Sequence, residues 1–264
     1  MNIKIQYSVD EMGSQISDMR DSDLKETQNN SKEKNIKKIE EEQSPKLDDP
    51  KFVLRELQKL GDVSILKNIS PNLQDDKPFI LSAIQITGWS FEFASHELRG
   101  DREVALAAIQ KCGCTYCFIA RELRKDRDLL ITALKTGVLL FHLADEELRK
   151  ERELALFAIR CNALALAFLE EEFKSDKEIV LEAVTLKTLV ISKVNDEFKN
   201  DRDVAIAAVS SHPLALRYAS VAMRSDKQVV LAAVQKCGAV IAFASRELQE
   251  DEEVIKAATT IVQQ

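Results

Sequence analysis

Eight acidic residues recur at one interval along the chain: Asp76, Asp101, Asp126, Glu151, Asp176, Asp201, Asp226 and Asp251. A row of carboxylates could act in proton transfer. A second reactive group is the thiol cluster Cys112, Cys114 and Cys117, since clustered thiolates bind zinc or copper. Cys117 and His142 occupy the same position in successive repeats, as do His212 and Cys237, so each pair is a further candidate for ligation. The three histidines, His96, His142 and His212, fall at three different repeat positions without a serine or cysteine partner in a familiar arrangement. There is neither an HExxH pair nor a phosphate-binding glycine loop. The acids recur because the repeat does, whereas a catalytic pair is singular. They are therefore expected to be helix caps, with no catalytic residue, cofactor or metal site assigned, and Cys114 is expected to be a small core residue.

An alanine follows each acid by seven positions, at Ala83, Ala108, Ala133, Ala158, Ala183, Ala208, Ala233 and Ala258. An uninterrupted period of this kind marks stacked repeats that bury a core none could bury alone. The expected fold is all-α: tandem two-helix repeats of 25 residues stacked as an α-solenoid-like array. In the first helix a short carboxylate at the N-cap accepts the unpaired N–H groups of the first turn. Val104, Ala105, Leu106, Ala107, Ala108 and Ile109 predict a helix apolar all round, sandwiched between neighbours. A loop with Gly88, Gly113, Gly137 or Gly238 leads to a second, amphipathic helix, whose apolar side is Leu139, Leu140, Phe141, Leu143, Ala144 and Leu148 in one repeat. Helices of about ten residues are too short to stand alone, so stacking must stabilise them.

Residues 1–48 are polar, with the charge run KEKNIKKIEEE, and read as a disordered acidic tail. Asp49-Pro50 opens a degenerate N-terminal capping repeat over 49–75, where Gly61 ends the first helix and Ile65, Leu66, Ile69 and Leu73 supply the second apolar face. Seven two-helix repeats and a C-terminal capping helix follow over 76–264. Lys256 and Thr259 replace apolar residues in that last helix, as a terminal cap facing water requires.

Residues 1–50 hold 8 of the 37 Lys/Arg and 12 of the 44 Asp/Glu, so the remainder carries −3 and lacks the strongly basic surface that phosphate backbones demand. This disfavours nucleic acid. Five scattered cysteines and a start without a basic region and apolar stretch suggest reduced thiols in a cytoplasm, with no signal peptide or membrane span. The polar, serine-containing start also suits a bacterial protein delivered into a host cell.

The stretches FASHELRGDREVALAAI (Phe93 to Ile109) and FASRELQEDEEVIKAAT (Phe243 to Thr259) resemble an uncharacterised repeat family of bacteria and protists catalogued as a domain of unknown function. Its unit is similar to aromatic-Ala-Ser-x-Glu-Leu-Arg-x-Asp-Arg-Glu followed by an apolar helix, and the resemblance covers about residues 73 to 264. Met223 and Phe173 stand for the leucine, Glu151 for the aspartate and Glu252 for the basic residue. The resemblance implies the repeat fold and brings no catalytic motif, cofactor or ligand.

Recognition is expected where repeats differ, because packing dictates the recurring positions. One variable column is Glu92, Cys117, His142, Ala167, Ser192, Arg217 and Ala242. The other is His96, Arg121, Glu146, Glu171, Asp196, Val221 and Arg246. From these, His96, Arg121, Glu146, Glu171, Asp196, Arg246, His142 and Arg217 are the candidate partner-binding residues. The charged corner, as in Arg99-Gly100-Asp101-Arg102-Glu103 and Arg124-Lys125-Asp126-Arg127-Asp128, should stack into a mixed-sign ladder of caps and surface ion pairs. The expected function is a non-catalytic scaffold for a protein partner. The alternatives are a nucleic-acid-binding array using the Arg/Lys ladder and, behind it, a metal-dependent enzyme.

Overall fold

The computed structural model describes residues 47–260, which fall into two compact bodies meeting in sequence at Ser95 and His96. Among the described residues there is no strand, and no helix is long and apolar enough to cross a membrane. The polar tail assigned to 1–48 lies outside the described residues except for Leu47 and Asp48, and Leu47 is buried.

In the first body α1 (Pro50–Leu60) starts at Asp49, whose side chain accepts from the N–H of Lys51, and ends at Gly61 in the left-handed region, φ 63°. A 3-10 helix (Val63–Asn68), a single α-turn (Pro71–Gln74), α2 (Lys77–Ile86) and a second 3-10 helix (Gly88–Phe93) follow. The expected apolar set Ile65, Leu66, Ile69 and Leu73 is buried here, together with Val53, Leu57 and Ile80.

The second body repeats one design. Its long helices are α3 (Arg102–Lys111), α4 (Arg127–Leu134), α5 (Arg152–Cys161), α6 (Lys177–Leu186), α7 (Arg202–Ser211), α8 (Lys227–Val234) and α9 (Glu252–Thr260). Each packs beside the next, and the 3-10 segment after a long helix lies against that helix, with several also reaching the following one. The chain is thus an all-α tandem array of 25-residue repeats.

Two finer expectations change. The long helix is not buried all round: Val104, Ala105, Ala108 and Ile109 are buried, while Leu106 and Ala107 are half-buried. Counting from the cap as zero, positions 3, 4, 7 and 8 form one apolar stripe, and 5 and 6 flank it. Every spaced alanine lies in that stripe, with Ala108, Ala133, Ala183, Ala208 and Ala233 wholly buried.

Nor is the second helix continuous. It divides into a 3-10 helix, such as Gly113–Phe118, an extended pair of residues, and one helical turn, such as Glu146–Arg149 or Glu171–Lys174. In some repeats a main-chain bond to the preceding repeat accompanies this break. The N–H of Ala120 donates to Arg99 O (2.9 Å), that of Asp145 to Arg124 O (3.0 Å) and that of Ser245 to Arg224 O (2.9 Å). A residue whose N–H is turned towards its neighbour cannot also close an i→i−4 bond, so where this bond forms it fixes the break. Phe141, Ala144 and Leu148 still face the core, while Leu139, Leu140 and Leu143 are half-buried.

The turn between the two parts is tight. A Cβ on Gly238 would stand 2.1 Å from Ala258 O, so glycine lets this turn touch the end of the next helix. Gly137, at φ 78°, supplies the left-handed residue that follows the shorter α4.

Candidate functional site

The recurring acids do two things at once. The Asp126 carboxylate accepts from the N–H groups of Asp128 (3.0 Å) and Leu129 (3.1 Å), and Arg102 of the preceding repeat reaches it at 2.6 Å. Asp101, Asp176, Asp201, Asp226 and Asp251 each accept from two N–H groups in the same way, and Asp76 accepts from Phe79 at 3.0 Å. The cations one position past the caps close the ladder: Arg152 to Asp176 (2.9 Å), Lys177 to Asp201 (2.8 Å), Arg202 to Asp226 (2.8 Å) and Lys227 to Asp251 (2.9 Å). Several also reach the acid two positions beyond the cap, as Arg102 does with Asp128 (3.1 Å) and Lys177 with Asp203 (2.7 Å).

Glu151 is the exception and corrects the expectation of eight caps. Its side chain makes no capping bond, although it occupies the N-cap position. One methylene longer than aspartate, it extends to Arg127 at 3.3 Å instead of folding back on its own helix.

Partial burial pushes the Asp126, Asp176, Asp201 and Asp226 carboxyls up, but the paired cation and the first-turn N–H groups outweigh it. All four end below the ordinary value of 3.8. The Lys227 ammonium, helped by the N–H of Val254, does the same for Asp251.

The ladder was half visible in the sequence. The basic residue after every cap but the last keeps the same period as the cap, which is the signal for a bridge to the next repeat rather than for a free charged edge.

A second basic column, Arg99, Arg124, Arg149, Lys174, Lys199 and Arg224, stands two residues before six of the caps; only Arg99 and Arg124 figure in the sequence reading, as part of the charged corner. The Nε atoms of Arg99, Arg124, Arg149 and Arg224 are buried without a hydrogen-bond acceptor. Arg149 uses another nitrogen to bind Glu170, while Lys174 and Lys199 pair with Glu171 (2.9 Å) and Asp196 (2.8 Å).

The candidate partner-binding residues separate by exposure. His96, Arg121, Glu146, Glu171, Asp196 and Arg246 are all exposed, on the short helical turns or at the start of the 3-10 helix Arg121–Lys125. Glu146 pairs with Lys150 on its own turn. In the other column Arg217 is exposed, with its guanidinium 5.9 Å from the Tyr218 ring centre, but His142 is half-buried. His142 stacks on Phe168 of the next repeat, centroids 5.4 Å apart. Burial, and then the charges of Arg149 and Arg124, hold its pKa below the usual histidine value.

Cys114 also departs from expectation. All five cysteines are thiols and none is fully buried. Cys114 is half-exposed, as are Trp89, Leu139 and Leu164 in the same column, and Leu214 is 58% exposed, so this column borders the core instead of filling it. Cys112 and Cys114 stand two residues apart where the chain enters the 3-10 helix Gly113–Phe118, and each is the main influence on the other's ionisation. The Cys114 thiol leads in lowering the Cys112 pKa, to about 6, while Cys112 followed by burial pushes Cys114 up. The pair thus releases its first proton readily and its second with difficulty. No group of three or more His, Cys, Asp or Glu side chains placed to hold a metal ion occurs among the described residues, so the Cys117–His142 pairing does not converge on such a site.

These features define an all-α tandem-repeat protein in whose second body recurring charges tie successive repeats together. The family described as Domain of unknown function (DUF4116) matches at residues 49–99, 101–149, 151–197, 185–224 and 226–261, the first match spanning two 25-residue repeats. The chain belongs to that family. No curated protein and no solved structure matches it.

Proposed function

We propose that this chain is a non-catalytic scaffold that binds a protein partner along the exposed column His96, Arg121, Glu146, Glu171, Asp196, Val221 and Arg246. The observation that carries this reading is a division between repeat positions. Those that recur are occupied by packing, capping and ladder pairs, whereas this column is exposed in every repeat of the second body and changes chemistry along it. Stacked repeats suit recognition of an extended partner, one repeat at a time. Glu146, Glu171 and Asp196 make three consecutive acidic positions, which favours a basic stretch in that partner. The five thiols fit a reducing, cytoplasmic setting, or delivery into one.

The test is recovery of a binding partner with the full chain, followed by the triple variant Glu146→Lys, Glu171→Lys and Asp196→Lys. Loss of that partner at an unchanged melting temperature is expected. Undiminished binding by the triple variant would remove this column from the interface.

A nucleic-acid reading through the ladder cations would have to displace the carboxylates they already bind. It would rest instead on the buried, acceptor-free Nε atoms of Arg99, Arg124 and Arg224. Salt-sensitive binding of RNA or DNA that disappears when these three become alanine would favour it over the scaffold.

A further inference from the structure

The arginines two residues before the caps are fixed by packing at the base of the guanidinium and open at its tip. In Arg99, Arg124, Arg149 and Arg224 the same atom, Nε, is buried and bonds nothing, while the terminal nitrogens are not buried. Arg149 shows what this pose receives: its Nη1 binds the Glu170 carboxylate, carried by the next repeat. The corresponding residue of the next repeat is Ala120 for Arg99 and Ser245 for Arg224, neither of them an acid. For Arg124 it is Asp145, whose carboxylate accepts instead from the N–H of Glu147 at 3.2 Å. Among the described residues no acid pairs with Arg99, Arg124 or Arg224. Nor does the fold require a cation here. Gln249 holds the same place, and its amide donates to Ala244 O at 2.8 Å and to Ala242 O at 3.3 Å.

We propose that Arg99 and Arg124, on successive repeats, bind two carboxylates of an extended acidic segment in a protein partner, each as Arg149 binds Glu170. The proposal rests on the scaffold reading only in taking the occupant to be a protein. Neighbouring helices lie about 8–10 Å apart, and three residues of extended chain span about 10 Å, so the two acids of the segment stand three residues apart. Arg121, exposed one turn before Arg124, adds to the positive charge without being bound itself. An arginine already held by its neighbours loses little freedom when it pairs, which separates these two from a freely moving surface cation.

A peptide is favoured over a nucleic acid by the charges around the pair. Glu97 and Glu122 stand exposed on the same short turns as Arg99 and Arg124. A nucleic acid is charged at every unit and would meet those carboxylates, whereas a peptide places its charge only where the arginines are.

The test is fluorescence anisotropy of the full chain with a dye-labelled peptide of glycine and serine that carries two glutamates three residues apart, at low ionic strength so that surface pairs are not screened. Saturable binding is expected, and replacing both glutamates by glutamine should weaken it roughly twentyfold or more. Arg99→Gln and Arg124→Gln should each weaken it roughly fivefold, while Lys135→Gln, an exposed cation outside the column, should leave it unchanged. Equal binding of the two peptides would overturn the proposal, as would undiminished binding by the Arg99→Gln, Arg124→Gln double variant. Tighter binding of an oligothymidylate of the same length, lost in that double variant, would also overturn it by assigning the pair to phosphate. The comparison of the two peptides on the unaltered chain stands whether or not a variant folds, and Gln249 shows that the turn accepts a glutamine in this place. Because the probe carries no basic residue, a negative result removes this site without touching the acidic column Glu146, Glu171 and Asp196.

Discussion

At the scale of single residues, one carboxylate joins two repeats. Asp126 satisfies two N–H groups of its own helix while holding Arg102 of the repeat before. Asp126→Ala should therefore lose a cap worth roughly 0.5–2 kcal/mol and a surface pair worth roughly 0–1 kcal/mol. Glu151→Ala should lose only the pair, and Glu151→Asp should gain stability by restoring the cap. Urea midpoints of the three variants check that order. The acid dependence follows from the same groups. Because the folded pKa values of Asp126, Asp176, Asp201 and Asp226 lie below 3.8, their contribution is complete above the ordinary carboxyl range and is lost as pH falls through 3.8 and below. Thermal melts from neutral pH to about pH 3 should show the decline confined to the acid end. The acidic period was legible in the sequence. That Glu151 reaches Arg127 instead of its own helix was not, since residue type reveals charge but not how far a side chain swings.

At the scale of elements, the amphipathic pattern was legible and the break in the second helix was not. Phe141, Ala144 and Leu148 meet the core equally well from a continuous helix or a divided one. Where the N–H of Ala120 or Asp145 bonds to the previous repeat, its partner lies some twenty residues away, which local spacing does not announce. Cys114 was misplaced for a related reason: its column falls where the chain enters the 3-10 segment, at the rim of the packed layer. The tightness of that turn gives a further expectation. Gly238→Ala would press a methyl group 2.1 Å from a backbone oxygen of α9, so two backbones must move, at a cost of roughly 1–3 kcal/mol. A lowered urea midpoint with an unchanged m-value would report it. An unaltered midpoint would mean that the turn yields freely.

At the scale of the molecule, burial is periodic and then departs from its period. The residue four positions after the cap is wholly buried at Val180, yet at Ile255 it is 41% exposed, with no described element covering it. Val180→Lys should cost several kcal/mol by burying a charge, whereas Ile255→Lys should change stability by roughly 0.5 kcal/mol or less. Parallel thermal melts separate the two. The period made the architecture readable from the sequence, but the residues most open to a partner follow no such rule, so function was far less legible than fold. The main-chain bonds between repeats also govern how such a chain can change in length. Each joins atoms twenty-one residues apart, Ala120 to Arg99 and Asp145 to Arg124, whatever their side chains. Adding or removing a whole repeat restores this frame, while a one-residue insertion inside a span shifts it. Side chains are thus free to diverge while length is held constant, so lineages of this array should vary by counting repeats, not by stretching them.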